Sequence, residues 1–348
     1  RDTREGAVSL VDGEGDANLT IERLDGDGAL TLLADYANAD QVLDLDLSLE
    51  EAEDGIFANL AELPGRPSVA FSVAGNAPIA NFAADIRLAT DGAERLAGQV
   101  TLSQADDGAR RVTARISGDI APVFAPEYRP FFGDAIDLNI EAVIATDGQI
   151  LVPRLALSTE AISLSGALEF GADRLPRLVT LKGEIASEDG APVLLPIGGA
   201  ETRISRADLA LFFDASQSED WTGNIRLTDL DRAGLAAERL ALLGRGRIAS
   251  GAAPEVIATL RFNARALDTG SRGLNDALGP DVNGEARITW QGGPVLLESL
   301  QLNAKALTAS GNAEIAVAEE GPEVLGTLRL DAKRLVDFST LAGRDLGG

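Results

Sequence analysis

Ile150–Phe170 (ILVPRLALSTEAISLSGALEF) aligns without a gap with Val295–Ile315 (VLLESLQLNAKALTASGNAEI). Leu155 and Leu157 fall on Leu300 and Leu302, Ser165-Gly166 on Ser310-Gly311, and Glu169 on Glu314. Both stretches alternate apolar with polar residues, the period-2 signature of a strand with one oily face and one wet face. Equal spacing of apolar, turn and polar positions means that one supersecondary unit is used twice. Units of this kind cannot bury an apolar face alone and stack into an elongated array. Such an array works by its length rather than through one compact catalytic site.

The same alternation extends in both directions. Leu45 and Leu47 alternate with Asp44, Asp46 and Ser48, and Val69 and Phe71 with Ala70 and Ser72. Phe82, Ile86 and Leu88 oppose Asp85 and Arg87; Val112 and Ile116 oppose Thr113, Arg115 and Ser117. Ile136, Leu138 and Ile140 oppose Asp137, Asn139 and Glu141; Ile162, Leu164 and Leu168 oppose Ser163, Ser165 and Glu169. Leu307 and Ile315 oppose Thr308, Ser310 and Glu314; Leu328 and Leu330 oppose Thr327, Arg329 and Asp331. This is the pattern of antiparallel sheet buried on one side. Turn signals separate the runs: Asp25-Gly26, Asp27-Gly28, Asp91-Gly92, Asp107-Gly108, Asp147-Gly148 and Gly292-Gly293.

Short helical stretches interrupt the strands. Glu51–Leu63 carries Ile56, Leu60 and Leu63 at helical spacing before Pro64-Gly65. Ala125–Phe132, Gly273–Leu278 and Arg334–Ala342 each run into a glycine, at Gly133, Gly279 and Gly343. The period is on the order of 65–75 residues, one helix followed by four or five strands. It divides the chain into a partial unit over 1–50, units over 51–121, 122–187, 188–267 and 268–333, and the start of another over 334–348. Residues 188–267 are the least regular, with Pro192–Pro196 and a loop over Asp214–Asp220. A helix lying across the sheet in each unit is one way to control its curvature.

Composition narrows the function. The chain has 348 residues, 45% hydrophobic but only 4% aromatic, so its apolar faces are built from Leu, Ile, Val and Ala. Thirty Lys and Arg against 55 Asp and Glu give a net charge of −25. Nucleic acid is disfavoured, because each phosphate contact needs a cation, and so is docking by charge on an anionic bilayer. There is no Cys, His or Met. Ser-His-Asp, Cys-His and thiolate or imidazole metal sites are therefore ruled out within the chain, no cofactor is expected, and an enzyme is disfavoured. The 55 carboxylates alternate with apolar residues as a solvated sheet face does. The acidic run Asp12–Asp16 departs from calcium-loop spacing and reads as an acidic turn; Asn18-Leu19-Thr20 is a formal sequon on a strand. The missing initiator Met suggests a processed chain or an internal piece, and no stretch reaches the ~18 apolar residues of a membrane helix.

The apolar stripes carry the remaining signal. They fit the core of a β-sandwich, and they also fit a hydrophobic trough open to a ligand. Aliphatic faces poor in large aromatics suit many similar acyl chains better than one rigid ligand.

Leu60–Val73 (LAELPGRPSVAFSV), Gly75–Leu102, Pro192–Ala210 (PVLLPIGGAETRISRADLA), Trp221-Thr222-Gly223, Leu243–Ile248 (LGRGRI) and Phe338–Gly348 (FSTLAGRDLGG) resemble the TamB proteins of alphaproteobacteria, within the AsmA-like superfamily of bridge-like proteins. The resemblance covers nearly the whole chain. It implies a long U-shaped β-sheet groove, a β-taco, standing in the periplasm and tethered to the inner membrane by a segment outside this chain. It implies phospholipid acyl chains as cargo, a TamA-like outer-membrane barrel as partner, and roles in lipid transport and in assembling barrel proteins such as autotransporters. No catalytic residue carries over. The expected fold is therefore mainly β, and the expected groove lining is the set of apolar residues named above with Leu155, Leu157, Leu300 and Leu302. The alternatives are an adhesin-like stalk or sandwich without lipid cargo, and a chaperone that pairs nascent strands at its edges.

Overall fold

The computed structural model describes residues 2–11, 14–24, 26–251, 253–318 and 321–347. Asp25 and the Asp12-Gly13 start of the acidic run lie outside these. The protein is mainly β and antiparallel, and it divides into two compact units, Arg1–Ser165 and Gly166–Gly348.

In the first unit the strands are β1 (Asp2–Val11), β2 (Glu14–Arg23), β3 (Gly28–Ala37), β4 (Val42–Glu51), β5 (Val69–Pro78), β6 (Asn81–Thr90), β7 (Ala93–Gln104), β8 (Arg110–Gly118), β9 (Ile136–Ile144) and β10 (Ile150–Ser158). From β1 to β10 each strand pairs antiparallel with the next in the chain. β11 (Ile162–Phe170) crosses the division between the units. The second unit holds β12 (Pro176–Ala186), the short β13 (Val193–Leu194) and β14 (Thr202–Ile204), β15 (Arg206–Asp214), β16 (Ser218–Arg232), β17 (Leu235–Ala249), β18 (Glu255–Arg265), β19 (Val282–Trp290), β20 (Val295–Asn303), β21 (Leu307–Ala318) and β22 (Gly321–Ala332).

Turn chemistry sets the tight hairpins. Asp91 and Gly92 take φ of 51° and 73°, the two left-handed residues that a two-residue β-hairpin turn requires, and Thr90 pairs with Ala93. The stretch Asp214–Asp220, expected as a loop, is also a hairpin, because Asp214 folds the turn itself by accepting hydrogen bonds from the Ser216 amide and hydroxyl. The irregularity of residues 188–267 sits elsewhere. β12 pairs directly with β15, and the proline-bearing segment between them forms the two short strands at the strand ends, with β14 pairing onto β16.

Helices occupy the connectors after β4, β8, β18 and β22. They are α1 (Ile56–Leu60), α2 (Arg129–Phe132), α3 (Arg272–Leu278) and α4 (Ser339–Ala342). Two expectations need correction. Helices α2 and α3 do not lie across the sheet but dock at strand ends. The Glu160 and Ala161 amides donate to the carbonyls of Phe132 and Phe131; the Lys305 and Ala306 amides donate to those of Leu278 and Ala277. The receiving loops, Thr159–Ala161 and Ala304–Ala306, occupy corresponding places in the two stretches that align in the sequence. Ala161 and Ala306 are buried there. Second, the Glu51–Leu63 stretch is helical only over Ile56–Leu60, because Glu51 belongs to β4 and its carboxylate accepts the Ile56 and Phe57 amides at 3.1 and 2.8 Å. The helix buries Ala58, whereas Ile56 and Leu60 are 53% and 83% exposed.

Tight packing occurs at these ends and, in the second unit, also around the short strands β13 and β14 and at β15, where Val193, Leu194, Ile204 and Phe213 are buried. Ala58, Val69, Phe131, Ile136 and Ala161 are buried in the first unit, and Ala264, Ala277, Val282, Ala304 and Ala306 in the second. Phe124 stacks on Phe132 with ring centroids 3.9 Å apart.

Glycines in the strands stand where a neighbouring strand's backbone leaves no room for a side chain. A Cβ added at Gly98 would overlap the Arg115 carbonyl oxygen, one at Gly246 that of Ile257, and one at Gly326 that of Asn312. Gly244 and Gly246 also make room for the Trp221 ring, whose Nε1–H crosses β17 to donate to the Ile257 carbonyl at 3.1 Å. Gly246→Val is therefore expected to destabilise the chain by about 1–3 kcal/mol, whereas Gly293→Ala, where a Cβ meets nothing within 4 Å, is expected to stay within about 0.5 kcal/mol. Urea unfolding midpoints measure both.

Candidate functional site: an apolar sheet face

Residues opposite one another in an antiparallel pair project to the same face, so the register assigns faces. In the first unit one row runs Leu19, Leu32, Leu47, Val73, Ile86, Gly98, Ile116, Leu138, Leu157, from β2 to β10. The next row on the same face begins Ala17, Ala34, Leu45, Gly75, and further along Ala84, Val100, Ala114, Ile140 and Leu155 succeed one another. Phe71 and Leu88 stand together on this face, as do Phe82, Leu102 and Val112. Val69 and Ile136 lie at its helix-bearing end, paired with Glu51 and Gly118. The expected lining residues of β4 to β10 therefore share one side. Nine strands about 4.8 Å apart make this row about 40 Å long.

In the second unit a row runs Leu181, Leu211, Gly223, Gly244, Leu260, Ala286, Leu300, Gly311, Leu328, from β12 to β22. A parallel row carries Leu209, Ile225, Leu242, Phe262, Gly284, Leu302, Ala309 and Leu330. Leu307 and Ile315 lie on this face through their pairs Ala332 and Val324. On β11, Ile162, Leu164 and Leu168 alternate with Ser163, Ser165 and Glu169 and are half-buried.

Burial distinguishes an open face from a sealed core. Leu45, Leu47, Phe71, Ile86, Ile116, Leu138, Ile140, Leu155 and Leu157 are all half-buried, and in the second unit Leu328 and Leu330 are exposed. The core of a sandwich would remove such side chains from water almost completely. At the helix-bearing end of the first unit, Ile56, Phe57 and Leu60 of α1 line, with Ile21, Leu30 and Leu49, an open cleft of about 240 Å3. The sequence set Ile56 and Leu60 at helical spacing and no more. Their exposure is a feature that spacing could not show.

The reverse face is polar. In the first unit Asp85, Gln99, Arg115 and Asn139 form one row, with the Gln99 amide donating to Asp85 at 3.1 Å and Arg111 paired with Glu141. In the second unit the Arg206 guanidinium holds the Asp208 carboxyl below its ordinary pKa, and hydrogen bonds from Thr289 and Arg287 do the same for Glu298. Carboxyls lowered in this way stabilise the fold above their unfolded values of 3.8 and 4.5, and that contribution is lost as pH falls through the lower folded values. With no histidine in the chain, urea midpoints are expected to be flat from about pH 8 to pH 6 and to fall below about pH 4.

Among the described residues no group of three or more carboxylates is placed to hold a metal ion, and no helix is long and apolar enough to cross a membrane. No protein-family model, characterised protein or solved structure matches the chain.

Proposed function

We propose that this chain is a segment of a TamB-like, periplasmic bridge whose apolar face carries phospholipid acyl chains between the inner and outer membranes. The observation that carries this reading is the apolar row, unbroken by any polar side chain across nine paired strands in each unit and half-buried rather than sealed. A lipid tail crossing water loses about 0.8 kcal/mol for each methylene left exposed, so shielding has to be continuous. Cross-strand registry supplies that continuity. The many Leu, Ile, Val and Ala side chains present an even surface without fixed polar contacts, which suits cargo that must slide rather than dwell. The groove form, the repeated units and the link to a TamA-like outer-membrane barrel through regions outside this chain belong to the same proposal, as does a role in assembling outer-membrane proteins. They rest on the sequence resemblance. The reading contains no catalytic step.

Native mass spectrometry with lipid extraction tests it. The purified chain is expected to carry phospholipid, in a ratio that falls severalfold for Ile140→Asp or Leu302→Asp, which place a charge on the apolar face at a cost of several kcal/mol. Asn139→Asp and Gln301→Glu, on the reverse face, are expected to retain it. A folded chain that is free of lipid, or lipid retained equally by all four variants, would favour a stalk without cargo.

A further inference from the structure

The polar face of the second unit departs from the charge of the chain. Along β17 this face presents Arg239, Ala241, Leu243, Arg245 and Arg247, alternating with the apolar-face residues. Arg226 flanks it on β16, and Arg261 and Arg287 on β18 and β19. On these four strands register puts three carboxylates on the same face, Asp220, Glu255 and Glu285, and Glu219 of β16 and Glu298 of β20 reach it to pair with Arg247 and Arg287, so arginines still outnumber carboxylates there in a chain whose net charge is −25. Arg261, Arg287 and Arg247 each donate through Nε to a glutamate at 2.6 Å, and Arg247 also meets Glu219 through Nη2. Arg245 makes no ion pair among the described residues. It lines a cavity of about 510 Å3 together with Arg247, Arg287, Thr222 and Thr259.

Two apolar side chains stand among these arginines. Phe212 is 48% exposed and Leu243 is 45% exposed. Next to them, Asn224 pairs in register with Leu243. Its buried Oδ1 has no hydrogen-bond partner, and the residue lines a cavity of about 450 Å3 with Phe212 and Lys182.

We infer that this face is a docking surface for an extended, acidic polypeptide segment lying along β17. Alternate side chains of an extended segment are about 7 Å apart, the same spacing that separates Arg245 from Arg247. Carboxylates at every second position can therefore meet both guanidinium groups as charge-assisted pairs, while an apolar side chain rests on Leu243 and Phe212. Arginine mixed with exposed aromatic and aliphatic anchors is the make-up of protein interfaces. A free phosphate would leave the apolar anchors unused. A planar anionic bilayer would meet more of the chain's carboxylates than a narrow segment does, because a segment feels charge only within a screening length of about 8 Å. The surface lies opposite the apolar row, so the inference stands independently of the lipid reading.

The full chain is titrated with a fluorescein-labelled peptide Val-Thr-Glu-Thr-Glu-Thr-Val, whose Val and Glu side chains all project to one side at the spacing of Leu243, Arg245 and Arg247, and binding is read by anisotropy. Saturable binding is expected, weakening about tenfold or more when Arg245 and Arg247 are both changed to Glu and when salt rises from about 50 to about 500 mM. Arg245→Lys is expected to keep most of the binding, Leu243→Ser to weaken it severalfold, and the same peptide with Lys in place of Glu to stay unbound. Circular dichroism confirms that each variant folds. Absent binding, or binding indifferent to the charge reversals in folded variants, would overturn the inference. So would retention of the chain on phosphatidylglycerol vesicles without peptide binding, which would assign the face to a membrane. Displacement of the peptide by equimolar inorganic phosphate would overturn it too, by assigning the face to a small anion.

Discussion

Cross-strand register is the constraint on which the rest of this structure depends. The side-chain period of a strand is two, so a slip of one residue in any pairing would turn Leu43, Leu45 and Leu47 outward and bring Asp44 and Asp46 into the apolar face. The strict alternation makes every such slip costly in each strand at once. It also explains why the apolar row survives across so many strands without a second layer to template it. Each strand has only to agree with its two neighbours, and the turns fix how it meets them.

That economy leaves the sheet with little conventional core. The side chains removed from water collect at the strand ends, where the helical connectors receive amides from the opposing loops and bury alanines against them. Alanine fits because the helix backbone comes close enough to share hydrogen bonds with the loop. Glycines do the corresponding work inside the sheet, admitting a neighbouring carbonyl where a methyl group would block it. Stability and surface are thus separated. The ends hold the strands in register, while the broad face contributes little sealed packing and is left open to other partners.

This separation decides what could be read from sequence. The strands were legible because their signal is local: alternating Leu and Asp in Val42–Glu51, or Ile and Asp in Ile136–Ile144, needs no partner to be recognised. The aligned stretches Ile150–Phe170 and Val295–Ile315 fold into strands at corresponding positions, since spacing alone sets them. The helices were less legible. In Glu51–Leu63 the apolar spacing of Ile56, Leu60 and Leu63 marked a helix, but the buried residue of that helix is Ala58, and a carboxylate at a strand end starts it. The pairing of β12 with β15 across an intervening segment is a long-range event that no local pattern announces. The arginine face was hidden for a similar reason: its members are scattered from Arg226 to Arg287 and meet only through register, while total charge points the other way.

The two faces also bear on how so much apolar surface is kept from aggregating. Asp16, Asp35 and Asp44 stand directly opposite one another on β2, β3 and β4, an arrangement that costs stability because like charges face each other. On an exposed face the cost is small, since water and salt screen it. The gain is that this side cannot turn inward or stack on another oily sheet without stripping three carboxylates of water. The acidic side therefore fixes which face is dry as firmly as the leucines do. It leaves the apolar side as the broad surface on which a hydrophobic partner would lower the free energy.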